Sequence, residues 1–67
     1  MTDFEIRSSR GKVRTVARVK AKVSPGDSRG ALRVLEDECD RRRLRIDEHT
    51  IRGWDQRTGW IDHGGTT

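Results

Sequence analysis

The chain has 67 residues, of which 30% are apolar and 39% are charged, and its formal net charge is +4. This length holds one hydrophobic core and excludes a second domain, and the low apolar content predicts that the core is thin. The longest uninterrupted apolar run is two residues, far short of the ~20 that a membrane-spanning helix needs. The first residues do not form a secretory signal, so we expect a cytoplasmic protein with no membrane contact.

The basic residues are concentrated at the start of the chain. Residues 1–23 carry seven basic and two acidic side chains, whereas residues 24–67 carry eight and nine. The positive field is therefore local to the N-terminal third. The single cysteine, Cys39, excludes an internal disulfide framework and fits a reducing compartment.

The N-terminal third is predicted to form a β-hairpin. Phe4 and Ile6 lie two residues apart, and residues 8–11 supply a turn that ends in glycine. Residues 12–23 then alternate, as in a half-buried strand, and one face carries Val13, Thr15, Ala17, Val19, Ala21 and Val23. The opposite face carries Val16 and five cations: Lys12, Arg14, Arg18, Lys20 and Lys22.

A helix is predicted from about residue 27 to residue 43. Residues 24–27 interrupt the strand because proline has no amide proton for a ladder, and either Ser24 or Asp27 fits the helix N-cap. Apolar residues then recur at three- and four-residue spacing, as a narrow buried stripe requires, at Ala31, Leu32, Leu35 and Cys39. The acidic residues at 36–40 and the arginines at 41–43 are expected on the solvated face.

Two alternatives remain for the last third of the chain. In the first, strands at residues 50–55 and 60–62 form a hairpin that places Trp54 opposite Trp60. In the second, a stretch of roughly twenty residues resembles a helix-turn-helix, with apolar positions at Leu44, Ile46, Ile51 and Trp54. Asp47 would be the N-cap of its recognition helix, although Gly53 would interrupt that helix. The hairpin is the favoured interpretation.

The expected fold is therefore α+β, a small antiparallel sheet with one helix packed on one face, in the order ββαββ. The alternative fold is a β-hairpin followed by a helix-turn-helix. We expect one domain over residues 1–63 and a flexible C-terminal tail over residues 64–67.

No combination of residues predicts catalysis or metal binding. Nothing fixes the geometry of a nucleophilic set made of Asp62 and His63 with Cys39 or Ser28, and a core this thin rarely builds a catalytic pocket. Cys39, His49 and His63 are separated by ten and fourteen residues, which matches no compact zinc-ligand pair. A buried cysteine and two surface histidines are the simpler interpretation. We therefore expect no catalytic residues, no metal and no cofactor in a non-enzymatic protein.

The basic strand is the feature that indicates a function. Cations on alternate residues of a strand are spaced about 6.6 to 7 Å apart, close to the phosphate repeat of nucleic acid, although cations on an edge strand also prevent aggregation. The sequence therefore predicts a small protein that binds the phosphates of DNA or RNA through its N-terminal β-ribbon. The predicted contacts are Arg7, Arg10, Lys12, Arg14, Arg18, Lys20 and Lys22.

Trp54 and Trp60 admit two interpretations. Aromatic rings beside a basic surface stack on unpaired bases, which makes both residues candidates for base stacking. The chain has one phenylalanine and no tyrosine, so these rings are also the largest apolar bodies available to the core. Packing in the core is the favoured expectation.

A second class of function is also open. A basic strand followed by an acidic helix suits an adaptor or inhibitor, of the kind that phages and mobile elements encode, that binds a larger host protein. The partner would be a larger acidic protein, and the exposed strand would extend the partner's sheet. A chain this short also favours self-association as a homodimer.

Overall fold

Two β-hairpins flank one α-helix in the computed structural model, which describes residues 1–66. In chain order the elements are β1 (Thr2–Ser8), β2 (Arg14–Ala21), α1 (Ser28–Arg42), a 3₁₀ turn (Ile46–Glu48), β3 (His49–Asp55) and β4 (Gly59–Gly64). All strand pairs are antiparallel, in the spatial order β2-β1-β3-β4. The predicted α+β fold of order ββαββ, with one helix packed on the sheet, is confirmed.

The helix-turn-helix alternative is wrong. The 3₁₀ turn leads directly into β3, which occupies the positions of the proposed recognition helix. Isoleucine, threonine and tryptophan favour a strand there, and Gly53 disfavours a helix interior. Strand β3 pairs with β1 on one side and with β4 on the other, so this segment is a central strand of the sheet.

A β-bulge in the first hairpin changes the face that some residues occupy. Ile6 pairs with Ala17, but the next residue, Arg7, pairs with Thr15. Val16 is therefore an extra residue in β2 without a partner in the register. Residues before a bulge lie on the opposite face from the one that strict alternation predicts.

The predicted single cationic face over residues 12–23 is consequently wrong in its first half. Arg14 pairs with Ser8, on the face opposite to Arg18 and Lys20. Residues 12 and 22 are exposed but lie outside β2, which begins at Arg14 and ends at Ala21. Alternation could not reveal the bulge because a bulge is a property of the pairing with β1.

Helix α1 begins and ends at identifiable caps. Asp27 is the N-cap, and its Oδ1 accepts a hydrogen bond from the Gly30 amide at 3.1 Å, which decides between the two predicted caps. Arg43 ends the helix in the left-handed backbone conformation, with a φ of 56°. The Leu44 amide then donates to Cys39 O at 2.8 Å. These contacts satisfy backbone groups that the helix itself leaves without partners.

The core lies between the helix and one face of the sheet. Its buried apolar members are Phe4, Ile6, Ala17, Ala31, Leu35, Cys39 and Ile51. Gly53 belongs to this packing because the Phe4 ring lies against it, and a Cβ atom at position 53 would come 2.8 Å from Phe4 Cε1. Within residues 1–66, no helix is long and apolar enough to cross a membrane.

The second hairpin sets the positions of the two tryptophans. Trp54 pairs with Trp60, as predicted, across a turn that leads into Gly59, the first residue of β4, which has a φ of 84°. Glycine adopts a positive φ without a steric penalty. Strand β4 continues to Gly64 and so enters the segment predicted as a tail. Thr67 lies outside the described residues, and the flexibility of the tail stays a prediction.

Candidate nucleic-acid interface

One face of the sheet packs on the helix, and none of the described elements covers the other. Partners in an antiparallel pair project from the same face, and neighbours along a strand project from opposite faces. Phe4 and Ile51 face the core, so the register assigns a second set of side chains to what we call the open face. This set is Asp3, Glu5, Arg7, Thr15, Arg18, Lys20, Thr50, Arg52, Trp54, Trp60 and Asp62.

The two tryptophans lie on the open face, so the favoured expectation that they pack in the core is wrong. Trp54 is 44% exposed and Trp60 is 38% exposed. Their ring centroids are 5.3 Å apart at an interplanar angle of 68°, an edge-to-face arrangement. The physical reason is the strand register. Gly53 packs against Phe4, so the residue after it and that residue's cross-strand partner must project to the other side of the sheet.

Arg52 connects the tryptophan pair to the centre of the open face. Its guanidinium carbon lies 4.2 Å from the centroid of the Trp60 ring, which is a cation–π contact. Arg52 Nε and Nη2 donate hydrogen bonds to Glu5 Oε1 at 2.9 and 2.6 Å. Glu5 therefore holds the guanidinium group that packs on the Trp60 ring.

Glu5 is a buried anion at the centre of the open face. Only 6% of the residue is exposed, because side chains from β2 and β3 surround it. Thr15 Oγ1 donates to its Oε1 and Arg18 Nε donates to its Oε2, each at 3.2 Å. Burial raises the pKa of Glu5, but the hydrogen bonds and the positive charge of Arg52, together with the bonds from Thr15 and Arg18, hold that pKa below its ordinary value.

Sequence reasoning missed Glu5 and Arg52 as residues of the site. Glu5 lies between Phe4 and Ile6, a spacing that indicates a side chain directed away from the core. Its main partner, however, is 47 residues away along the chain, and no local pattern connects the two. Only the pairing of β1 with β3 places Glu5 opposite Arg52.

The structure brings several of the predicted phosphate contacts together. Arg18 and Lys20 lie side by side on the open face of β2. Arg7 lies on the same face of β1, and its buried Nε has no hydrogen-bond partner among residues 1–66. Lys12 and Lys22 are exposed beyond the two ends of β2. Since β2 is an edge strand, we call its two cations on the open face, Arg18 and Lys20, the basic border.

Two other predicted contacts are separated from the basic border. Arg14 is exposed but projects from the helix side of the sheet. Arg10, in the first hairpin loop, forms a salt bridge of 2.8 Å with Glu48. Arg14 therefore lies on the other side of the sheet and Arg10 is bound to Glu48 in the loop, so neither belongs to the basic border.

Two grooves flank the tryptophan pair. The first, which we call the Trp60 groove, has a volume of about 480 Å³ and lies between Trp60 and the basic border. The second has a volume of about 460 Å³ and runs beside Trp54 and Pro25. Asp3 lines both grooves. Both volumes fall within the range of sites that hold small molecules.

The serine and histidine considered for catalysis form a contact between β4 and the helix. Ser28 Oγ lies 2.9 Å from His63 Nδ1. His63 Nε2 donates to Pro25 O at 2.7 Å, so the neutral ring accepts at Nδ1 from the serine hydroxyl. This contact joins the last strand to the beginning of α1, on the helix side of the sheet.

The residues considered for zinc are dispersed. Cys39 is buried as predicted, and burial, with the charge of Glu38 adding to it, raises the pKa of its thiol. His49 was expected at the surface but is buried, and its Nδ1 donates to Arg45 O at 2.5 Å. Across residues 1–66, no group of three or more His, Cys, Asp or Glu residues is arranged to hold a metal ion.

Comparisons with models of known protein families, with curated proteins and with solved structures found no match to this chain. A proposal for its function therefore depends on the open face. That face combines an exposed aromatic pair, a basic border and a groove between them.

Proposed function

We propose that the open face binds single-stranded DNA or RNA, with phosphates on the basic border and unpaired bases on the tryptophan pair. In this proposal the protein is a non-enzymatic binding module. The observation that carries it is the exposure of Trp54 and Trp60, at 44% and 38%, on the same face as Arg18 and Lys20. Burial of these two large rings would have stabilised a thin core, and their exposure gives up that hydrophobic stabilisation.

The basic border provides the electrostatic part of binding. Arg18 and Lys20 are two residues apart on one strand, so they are separated by about 6.6 to 7 Å, close to the spacing of successive phosphates. Lys20 forms no salt bridge with any carboxylate in residues 1–66. Lys12 and Lys22 are exposed near the two ends of the strand and add positive charge there.

The tryptophan pair provides the stacking part. Stacking of a base on an aromatic side chain contributes about 1–3 kcal/mol per base and tolerates any sequence. Arg52 already packs on the Trp60 ring, which reduces the side-chain entropy that is lost when a base stacks on it. A duplex hides the faces of its bases, and this proposal therefore predicts a preference for single strands.

Tryptophan fluorescence tests the proposal, because both tryptophans of the chain lie on the open face. A twelve-nucleotide single strand should quench the emission at low salt, and a duplex of the same sequence should bind more weakly. The double variant Arg18→Gln/Lys20→Gln should reduce the slope of log affinity against log salt by about 1.4, at about 0.7 per lost phosphate contact. No quenching at low salt, or an affinity independent of salt, would contradict the proposal.

A matched control tests whether binding depends on the basic border or only on the net charge of the protein. The double variant Arg29→Gln/Arg33→Gln removes the same charge from two exposed positions of α1, on the other layer of the fold. It should leave both the salt slope and the quenching unchanged. An equal loss of binding in the two double variants would show that total charge, without a defined interface, attracts the nucleic acid.

A second candidate function follows from the position of β2. As an edge strand, it has one side of its backbone available to pair with a strand of another protein. In that case the protein is an adaptor or inhibitor of the phage or mobile-element type, and its partner is a larger acidic protein. Capture experiments from cell extract with and without nuclease separate the two candidates. A single partner that survives nuclease favours the adaptor, and capture that nuclease abolishes favours nucleic-acid binding.

A further inference from the structure

The Trp60 groove places an aromatic ring, two cations and two carboxylates around one cavity. The open-face side chains that line it are Asp3, Glu5, Arg18, Lys20 and Trp60. Phe4 and Val19 also line the groove, but they are paired on the core face of the sheet, so they contribute mainly backbone. The cavity therefore offers the Trp60 ring for stacking, two cations for a phosphate, and carboxylates for hydrogen-bond donors.

The two carboxylates differ in what they can still bind. Glu5 accepts four hydrogen bonds from Thr15, Arg18 and Arg52. Asp3 is exposed and lies opposite Lys20 in the register of β1 and β2. It forms no salt bridge with a cation of residues 1–66. Asp3 is therefore the carboxylate that is free to receive donors from a ligand.

A free carboxylate beside a stacking ring distinguishes among the bases. An ionised carboxylate accepts hydrogen bonds and donates none. Guanine presents two adjacent donors, N1–H and N2–H, on its Watson–Crick edge. In adenine and cytosine the amino group is adjacent to a ring nitrogen that accepts, and in thymine and uracil N3–H lies between two carbonyl oxygens. The lone pairs of those acceptors repel a carboxylate, so guanine alone matches both of its oxygens.

We propose that the Trp60 groove binds one unpaired guanine in preference to the other bases. The guanine ring stacks on the part of Trp60 that lines the groove, its N1–H and N2–H donate to Asp3, and its phosphate contacts Lys20. This inference rests on the proposed function, because the groove can contact the edge of a base only when a single strand is bound. Arg52 and Glu5 act as positioning residues that hold the ring.

The test uses the full chain and seven-nucleotide DNA strands of thymidine whose central base is dG, dA, dC or dT. In tryptophan-fluorescence titrations at low salt, the dG strand should bind about tenfold more tightly than the dT strand, within the range of discrimination that a bidentate base contact gives. Deoxyinosine in place of dG lacks the N2 amino group and should lose most of that advantage. Equal binding of the dG and deoxyinosine strands overturns the two-donor contact with Asp3.

Two variants test whether Asp3 is the residue responsible for the preference for guanine. Asp3→Asn should abolish the advantage of dG while the strand of thymidine alone still binds, because asparagine both donates and accepts. Asp40→Asn removes the same charge from an exposed position of α1 and should keep the advantage. Since Asp3 is exposed, thermal unfolding should show an intact fold in Asp3→Asn. A dG advantage that survives in this variant overturns the assignment.

The outcomes also separate this inference from the function on which it rests. Equal, salt-dependent binding of all four strands overturns the guanine preference and leaves single-strand binding in place. No binding of any strand at low salt overturns both. Tighter binding of dA, dC or dT than of dG overturns the role given to Asp3.

Discussion

Replacing Glu5 by glutamine keeps the size of the side chain and removes its charge. Arg52 donates two of the four hydrogen bonds to this carboxylate, at 2.9 and 2.6 Å. Arg52 stays charged in the variant but loses its anionic acceptor. Since a hydrogen bond to a charged group contributes about 1.5–3 kcal/mol and one to a neutral group about 0.5–1.5 kcal/mol, we expect each Arg52 bond to weaken by about 1 kcal/mol. The Arg18 side chain is 81% exposed and adds little. We expect Glu5→Gln to lower the free energy of unfolding by about 2 kcal/mol.

This loss is large for a domain of 67 residues. Stabilities of about 0.05–0.15 kcal/mol per residue give a total of about 3–10 kcal/mol for this chain. A loss of about 2 kcal/mol corresponds to a fall in Tm of about 8–16 °C. Urea denaturation at pH 7 measures the first quantity, and thermal unfolding followed by circular dichroism measures the second. The matched control Glu36→Gln changes an exposed helix carboxylate and should alter the stability by no more than about 0.5 kcal/mol.

The pH dependence separates the charge of Glu5 from its packing. The folded-state pKa of Glu5 is below its ordinary value of about 4.5, so the ionised carboxylate stabilises the fold above that value. This stabilisation is lost as the pH falls through the lowered pKa. The difference between the parent protein and Glu5→Gln should therefore be complete at pH 7 and shrink below about pH 4.5. A difference that stays constant into strong acid would show that packing is responsible, contrary to this account.

Three further predictions concern the fold. Gly53→Ala should lower the free energy of unfolding in urea by about 1–3 kcal/mol, because the added Cβ would lie 2.8 Å from Phe4 Cε1; unchanged stability would contradict this packing. Asp27→Ala removes the N-cap of α1 and should cost about 1 kcal/mol in the same measurement; no loss would mean that the cap is dispensable. The Cys39 thiol is buried with a raised pKa, so a thiol reagent should label it quickly only in denaturant; rapid labelling of the native protein would contradict its burial.

Several elements were predictable because their signals are local. The spacing of Ala31, Leu35 and Cys39 repeats once per helical turn, and these residues form the buried stripe of α1. Asp27 stands at the position of the N-cap, and its short side chain can reach the amide of the first turn. The pairing of Trp54 with Trp60 was also predictable, because the turn between them is short enough to set the register of the hairpin.

The candidate site was predictable only in part. Arg18 and Lys20 were expected on one exposed face, and the register places them on the open face together. Arg14 was expected beside them, but the bulge at position 16 turns it to the helix side. The bulge arises from the alignment of two strands, and an alternating sequence is compatible with a ladder with or without one.

The periodicity of each segment was therefore sufficient to predict the helix and the strands, their order along the chain and the positive charge of β2. Each of these depends on residues that are neighbours in sequence. Periodicity could not determine which face of the second hairpin meets the helix. That choice follows from the fit of the Phe4 ring against Gly53, between strands that are distant in sequence. The same pairing exposes both tryptophans and brings Glu5 to Arg52. These contacts form only when β1 lies between β2 and β3, so tertiary structure alone creates the open face.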